Sequence, residues 1–194
     1  ERSTEDRLRH GIESDPNWVI NVREPVIEFK QISLEPCDPE QNRELLYKWF
    51  QAPHVAKWWG DADRALEEVR CPAVDGGNAF IAVNSAFVGY VRWQVPSRAE
   101  LEAAGLHDIP ENAVDIDIAI GEPDYMGRGV APHALQLLVQ FLFSTTKAPL
   151  IMMCTSVDNH RAIRAFKKAG FKRVRMFQDP GYGSMWLLTV KRGI

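Results

Sequence analysis

The segment that most constrains the fold runs from Val114 to Thr146. Val114-Asp115-Ile116-Asp117-Ile118-Ala119-Ile120 alternates with period two, so Val114, Ile116, Ile118 and Ile120 share one face of a strand while Asp115, Asp117 and Ala119 share the other. Gly127-Arg128-Gly129 follows and opens a long apolar helix, expected over Gly129–Thr146. Glycines there let backbone N–H groups converge on an anion at the helix N-terminus, where unpaired donors and the macrodipole favour negative charge. The expected product is a phosphate cradle beside two carboxylates. No Gly-Lys-Ser/Thr follows, which excludes a nucleotide P-loop, and the third glycine of the dinucleotide fingerprint is missing. Taken alone, the two glycines serve equally well as a tight strand-to-helix turn.

A second segment, Asp158-Asn159-His160-Arg161-Ala162-Ile163-Arg164-Ala165-Phe166-Lys167-Lys168-Ala169-Gly170-Phe171, reads as a capped amphipathic helix. Asp158 or Asn159 caps it, Ala162, Ile163 and Phe166 form the buried stripe, and Gly170 stops it. Around these two anchors the pattern predicts strands at Val26–Ile32, Asn78–Asn84, Ala86–Val95, Ala113–Ile120, Pro149–Thr155, Phe171–Gln178 and Gly183–Lys191. Helices are expected at Pro39–Gln51, Ala62–Arg70 and Asn159–Ala169, with a tryptophan-bearing loop between the first two. Pro96–Asn112 reads as an insertion with a short helical pattern, Arg98–Ala104, ended by Gly105, and loops of that length are commonly functional or mobile. The mixture fits an α+β fold with a mixed sheet rather than a doubly wound one.

Met126-Gly127-Arg128-Gly129-Val130-Ala131 resembles the acyl-CoA pyrophosphate loop [R/Q]-x-x-G-x-[G/A] of the GNAT acetyltransferase superfamily, with Met126 where Arg or Gln usually stands. The Asp158–Phe171 helix is similar to that superfamily's N-x-x-A-x-x-x-Y-x-x-x-G-F segment. His54-Val55-Ala56-Lys57-Trp58-Trp59-Gly60 is similar to the H-[IV]-x-x-W-W-G run of aminoglycoside 6′-N-acetyltransferases and related siderophore-biosynthetic acetyltransferases. The resemblance spans about residues 26–192, and implies a GNAT-type, mostly antiparallel central sheet flanked by helices.

Acetyl-CoA as co-substrate follows from the resemblance, with its pyrophosphate on the amides from Gly127 to Ala131 and its pantetheine arm paired to the backbone of Ile118, Ala119 and Ile120. Further cofactor contacts are implied at Met126, Asn159, Phe166 and Lys168, with no metal. Asp117 stands where the aminoglycoside enzymes place the proposed base, and Asp115 lies about 7 Å along the same face. Two carboxylates that close raise each other's proton affinity where water is partly excluded. An unperturbed Asp, with a pKa of about 4, is a poor base at neutral pH, so the pair also reads as a seat for an ammonium group, with Asp117 relaying the proton directly or through water. Trp59, Trp93, Asp115 and the insertion are expected to line the acceptor pocket, where an aromatic face attracts cations.

Two departures matter. Phe166 replaces the Tyr that many members use to protonate the leaving thiolate, so the thiolate leaves unaided or Tyr125 or Tyr182 takes that part. Cys154 stands where the aminoglycoside enzymes carry a second substrate-binding Asp. The implied activity is acetylation of a primary amine on a small polycation. Siderophore-type acetylation of an amine or hydroxylamine and a non-catalytic acyl-CoA-binding module are the alternatives.

Composition adds limits. At 194 residues the chain suits one domain, expected from residue 26 to 194, and its net charge of −3 suits a cationic substrate rather than nucleic acid. No apolar run reaches a membrane span and no signal pattern is present, so a cytoplasmic protein without a membrane partner, monomer or homodimer, is expected. Cys37, Cys71 and Cys154 lack metal spacing. Residues 1–25 are polar, begin without Met, and read as a flexible arm of a trimmed or partial chain.

Overall fold

The computed structural model describes residues 31–70 and 75–193; the expected arm, Cys71 and most of the first expected strand lie outside them. Seven strands form one sheet: β1 (Ile32–Pro36), β2 (Gly77–Val83), β3 (Ala86–Gln94), β4 (Val114–Ile120), β5 (Leu150–Ser156), β6 (Lys172–Asp179) and β7 (Gly183–Lys191). Their order is β1-β2-β3-β4-β5-β7-β6, and every neighbouring pair is antiparallel except β4 with β5. The helices are α1 (Arg43–Gln51), α2 (Pro53–Trp59), α3 (Ala62–Arg70), α4 (Arg98–Ala103), α5 (Val130–Thr145) and α6 (His160–Lys168). None of the described helices is long and apolar enough to cross a membrane.

The parallel pair decides the architecture. A parallel neighbour needs a crossover connection, here α5, which returns across one face of the sheet. That face holds the larger core: Ile81, Val91, Val114 and Ile116 pack with Leu135, Leu138 and Leu142 of α5 and Phe166 of α6. Asn159 caps α6 by accepting from the Ala162 N–H at 3.2 Å, a contact worth about 1 kcal/mol. Gly170 ends it at φ 103°, with Phe171 N–H closing onto the Phe166 carbonyl.

The opposite face carries two separate apolar clusters. Under α1, α2 and α3, Leu46, Trp49, Phe50 and Leu66 cover Phe80, Tyr90 and Ala119. Under the insertion, Leu101, Leu106 and Ile109 cover Ala113, Met152 and Leu187.

Several expectations shift. The expected strand Val26–Ile32 lies outside the described residues but for its last two positions, and β1 runs on past its expected end to Pro36. The tryptophan run is not a loop: Pro53 starts α2, and Gly60, at φ 80°, ends it. The insertion is a packed cover rather than a mobile loop. Ser97 and Glu100 form a reciprocal cap at the start of α4, Arg98 donates to the carbonyls of His107 and Ile109, and Arg175 of β6 pairs with Asp108.

Gly121 follows β4, and its N–H bonds the Val88 carbonyl at 2.9 Å. A Cβ there would fall inside the indole of Trp49, which is 1% exposed and donates to Glu122 at 2.9 Å. Overpacking a core of this kind costs about 1–3 kcal/mol. Gly121→Ala should therefore lower Tm by about 3–10 °C in thermal unfolding, and an unchanged Tm would show that the indole has room to retreat.

Candidate active site

β4 crosses from one apolar cluster to the other. On the face opposite α5 it presents Ala113, Asp115, Asp117 and Ala119 in turn, the outer two buried in the two clusters. The carboxylates thus fall in the seam between clusters, because alternation fixes their face and the clusters stop short of them. β3 contributes Tyr90, Arg92 and Gln94, paired in register with Ala119, Asp117 and Asp115.

Asp117 accepts from Arg92 Nε at 2.8 Å, and Arg92 reaches Glu68 of α3 at 3.5 Å. Burial alone would lower the Arg92 pKa, but the charge and hydrogen bond of Asp117, with Glu68, hold it above its ordinary value. The guanidinium lies 5.8 Å from the Trp59 ring centre. Trp59 is in turn stacked on Phe50 at 5.1 Å and set edge-on to Tyr90 at 6.4 Å. At the far wall, Arg64 of α3 is held protonated by its bond to Glu68 and then by Tyr182, which brings the β6–β7 turn towards α3.

Asp115 is in a different state from Asp117. Its Oδ1 is buried without a hydrogen-bond partner among the described residues. Burial, and then the charge of Asp117, push its carboxyl well above the usual carboxylate range. Cys154 sits beside it; burial first, then Asp115 and Asp117, hold its thiol well above the ordinary value. Cys37 is likewise pushed up to about 12, by burial and then Asp38. Both are free cysteines, and burial of this kind favours the thiol over the nucleophilic thiolate at each.

Beside this seam the sheet opens. The β4–β5 register consists of Val114 with Ile151 and Asp115 with Met152, although β4 continues to Ile120 and β5 to Ser156. Backbone groups of alternate residues point to opposite neighbours, and the Gly121 N–H points to β3. Those of Ile118 and Ile120 therefore face the parted side, while the Asp115–Met152 register takes up the Ile116 N–H. His54 of α2 holds the end of this edge, its Nε2 2.9 Å from the Ile120 carbonyl.

Beyond Ile120 come a 3-10 turn over Pro123–Tyr125 and the glycine turn. Gly127 and Gly129 take φ of 77° and 88°, and a Cβ on either would meet nothing within 4 Å, so each glycine is there for its backbone angle and leaves open space above the amides. Gly129 caps α5, and Pro132 in the first turn has no N–H to give, which confines the donors to residues 127–131. This arrangement fits a diphosphate. Met126 is half-buried at the end of the 3-10 turn and Arg128 is exposed.

The remaining expected residues are scattered. Trp93 lies on the other face of the sheet, opposite Ile116 in register and 6.1 Å from the Phe141 ring, so it does not join Asp115 and Asp117 in the acceptor seam. Phe166 is 5% exposed in the main core, Asn159 is occupied as a cap, and Lys168 is exposed at the end of α6, its carbonyl accepting from Gln136. Tyr125 packs against the main core and Tyr182 is exposed. Sequence reasoning missed Arg92, Glu68 and His54. His54 stands at the head of the His54–Gly60 run without a role, and Arg92 as a charge in an apolar strand; the meeting of Arg92 with Asp117 depends on the β3–β4 register.

A family model described as acetyltransferase (GNAT) domain matches residues 38–179. Aminoglycoside N(6′)-acetyltransferase type 1 of Klebsiella pneumoniae is 24% identical over 162 residues, 79% of this chain and 80% of that protein. A crystal structure of an aminoglycoside acetyltransferase with coenzyme A and kanamycin superposes with a TM-score of 0.71 at 21% identity, covering 84% of this chain and 95% of that one. Aminoglycoside N(6′)-acetyltransferase from Legionella pneumophila gives 0.62 at 19% identity, covering 82% and 91%. At such identities the structural likeness speaks for the fold.

A raised carboxyl pKa has a sign in stability. The folded chain keeps the Asp115 proton while the unfolded chain loses it above pH about 4, so stability falls as pH rises towards the folded pKa and is level beyond it. Asp115→Asn removes that loss. Its Tm relative to the parent should climb as the pH is raised from about 4 to about 8. A difference independent of pH would mean that Asp115 is ionised in the fold.

Proposed function

Because the chain belongs to the GNAT acetyltransferase family, we propose that it acetylates a primary amine of an aminoglycoside-like polycation in the seam floored by Asp115 and Asp117. It is an acetyl-CoA-dependent N-acetyltransferase; the acceptor and the roles of individual residues are the substance of the proposal. One observation carries it: Asp117 lies on the strand whose backbone edge is open from Ile118 to Ile120, so a thioester laid along that edge meets an amine held by Asp117. The names of the relatives supply the aminoglycoside class.

In this reading the donor's diphosphate rests on the amides from Gly127 to Ala131 and its pantetheine amides pair with the edge of β4, as an added strand would. The acceptor ammonium is drawn to Asp117, with Trp59 as an aromatic wall. Asp117 takes its proton, directly or through water. The neutral nitrogen then attacks the thioester carbonyl, the C–N bond forms and the nitrogen gives its second proton to water, the C–S bond breaks, and the sulfur leaves with the electron pair as thiolate. Phe166 has no proton to give and is buried besides, so the thiolate of an already fairly acidic thiol is protonated from solvent.

Asp115, kept neutral by burial, serves as a hydrogen-bond donor rather than a second negative charge. It stands in the part of the seam next to Cys154, the position at which the aminoglycoside enzymes carry a second carboxylate. A cytoplasmic location belongs to the same reading and is supported by the free thiols.

Steady-state thiol release with acetyl-CoA and kanamycin tests the proposal. Asp117→Asn should lower kcat by about two to four orders of magnitude while CoA affinity stays at the parent's value. Parent-like turnover in that variant would transfer proton removal to another group.

A further inference from the structure

On Asp117 one carboxylate oxygen already has a cationic partner. Arg92 Nε holds Oδ2 at 2.8 Å, its Nη2 stands 3.5 Å from Glu68, and only 20% of its side chain is exposed. A guanidinium has five N–H donors, and two of these are spent in these contacts. The guanidinium lies 5.8 Å from the Trp59 ring centre and touches both anions at once, so it can give up Asp117 while keeping Glu68.

Resting on the proposed role of Asp117, we infer that Arg92 is a specificity-determining residue, a resident counter-ion that the acceptor amine must displace from Asp117 towards Glu68. Displacement costs every acceptor the same ion pair. Acceptors with several ammonium groups meet an additional opposition, because the displaced guanidinium remains in the seam as a like charge, and like charges a few ångströms apart in a partly dry site repel strongly. Arg92 therefore lowers the affinity for a polycationic acceptor below what the seam would give without it, and sets how far each added positive charge counts against binding. Glu68 is the residue that makes the exchange feasible, since without it the guanidinium would have no second partner.

The test compares kanamycin with a simple monoamine such as ethanolamine, by KM in thiol release and by calorimetric titration in the presence of CoA, which reads the same competition without turnover. Arg92→Gln should tighten kanamycin about tenfold and ethanolamine by a smaller factor. Arg92→Lys, which restores the charge without the planar fork, should return the kanamycin value to within about threefold of the parent's. Arg92→Met keeps the stem over Trp59 and gives the neutral reading if the glutamine variant does not fold. Unchanged or weaker kanamycin binding in a folded neutral variant overturns the inference, as does equal tightening of both amines. Failure of the Asp117 reading shows itself separately, as parent-like turnover in Asp117→Asn.

Discussion

The structure depends on β4 leaving β5. The two parallel strands pair at Val114–Ile151 and Asp115–Met152, and beyond that point β4 keeps only β3 as its partner in register. A strand interior with one side open is costly in a protein core, since each unpaired amide gives up about 1–3 kcal/mol if it is also dry. The chain accommodates the opening by making it part of a site. His54 closes onto the Ile120 carbonyl, and the backbone groups of Ile118 face the parted side. The glycine turn lies at the end of the same edge because α5 must start there to carry the crossover. One topological feature therefore sets both halves of the proposed donor site.

The acceptor side follows from how the opposite face is covered. Two small cores, one under α1–α3 and one under the insertion, leave a seam between them, and β4 runs through it. Residues at the seam therefore sit in different surroundings. Asp117 has Arg92 as a partner, whereas Asp115 has an orphaned buried oxygen, and burial pushes its carboxyl and the Cys154 thiol up. The insertion matters through Asp108 and Arg175, which tie it to β6 and fix one wall of the seam.

Much of this is legible in the residues, and what is not has a common cause. Alternation places Asp115 and Asp117 on one face, the glycines mark the start of α5, and Asn159 and Gly170 mark both ends of α6, because each of those signals is local. Trp93 is not assignable in the same way, since strand alternation gives two faces and no means of telling which one meets the acceptor; the register opposite Ile116 and the contact with Phe141 decide it. The Trp58-Trp59 run reads as a loop although Pro53 and Gly60 bracket a helix, because two adjacent aromatics disguise a short amphipathic pattern. Arg92 and Glu68 are invisible as a pair: they lie on β3 and α3, 24 residues apart in sequence, and meet only through tertiary packing.

The central claim is that the edge of β4 from Ile118 to Ile120 is where the acyl donor lies. Amide hydrogen exchange of the protein with and without CoA reads this residue by residue. The N–H groups of Ile118 and Ile120, which face the parted side, should slow on CoA addition by at least about tenfold, while those of Ile116, paired to β5, and of Asp117 and Ala119, paired to β3, change little. Protection confined to the glycine turn, with Ile118 and Ile120 exchanging as in the free protein, would contradict the account.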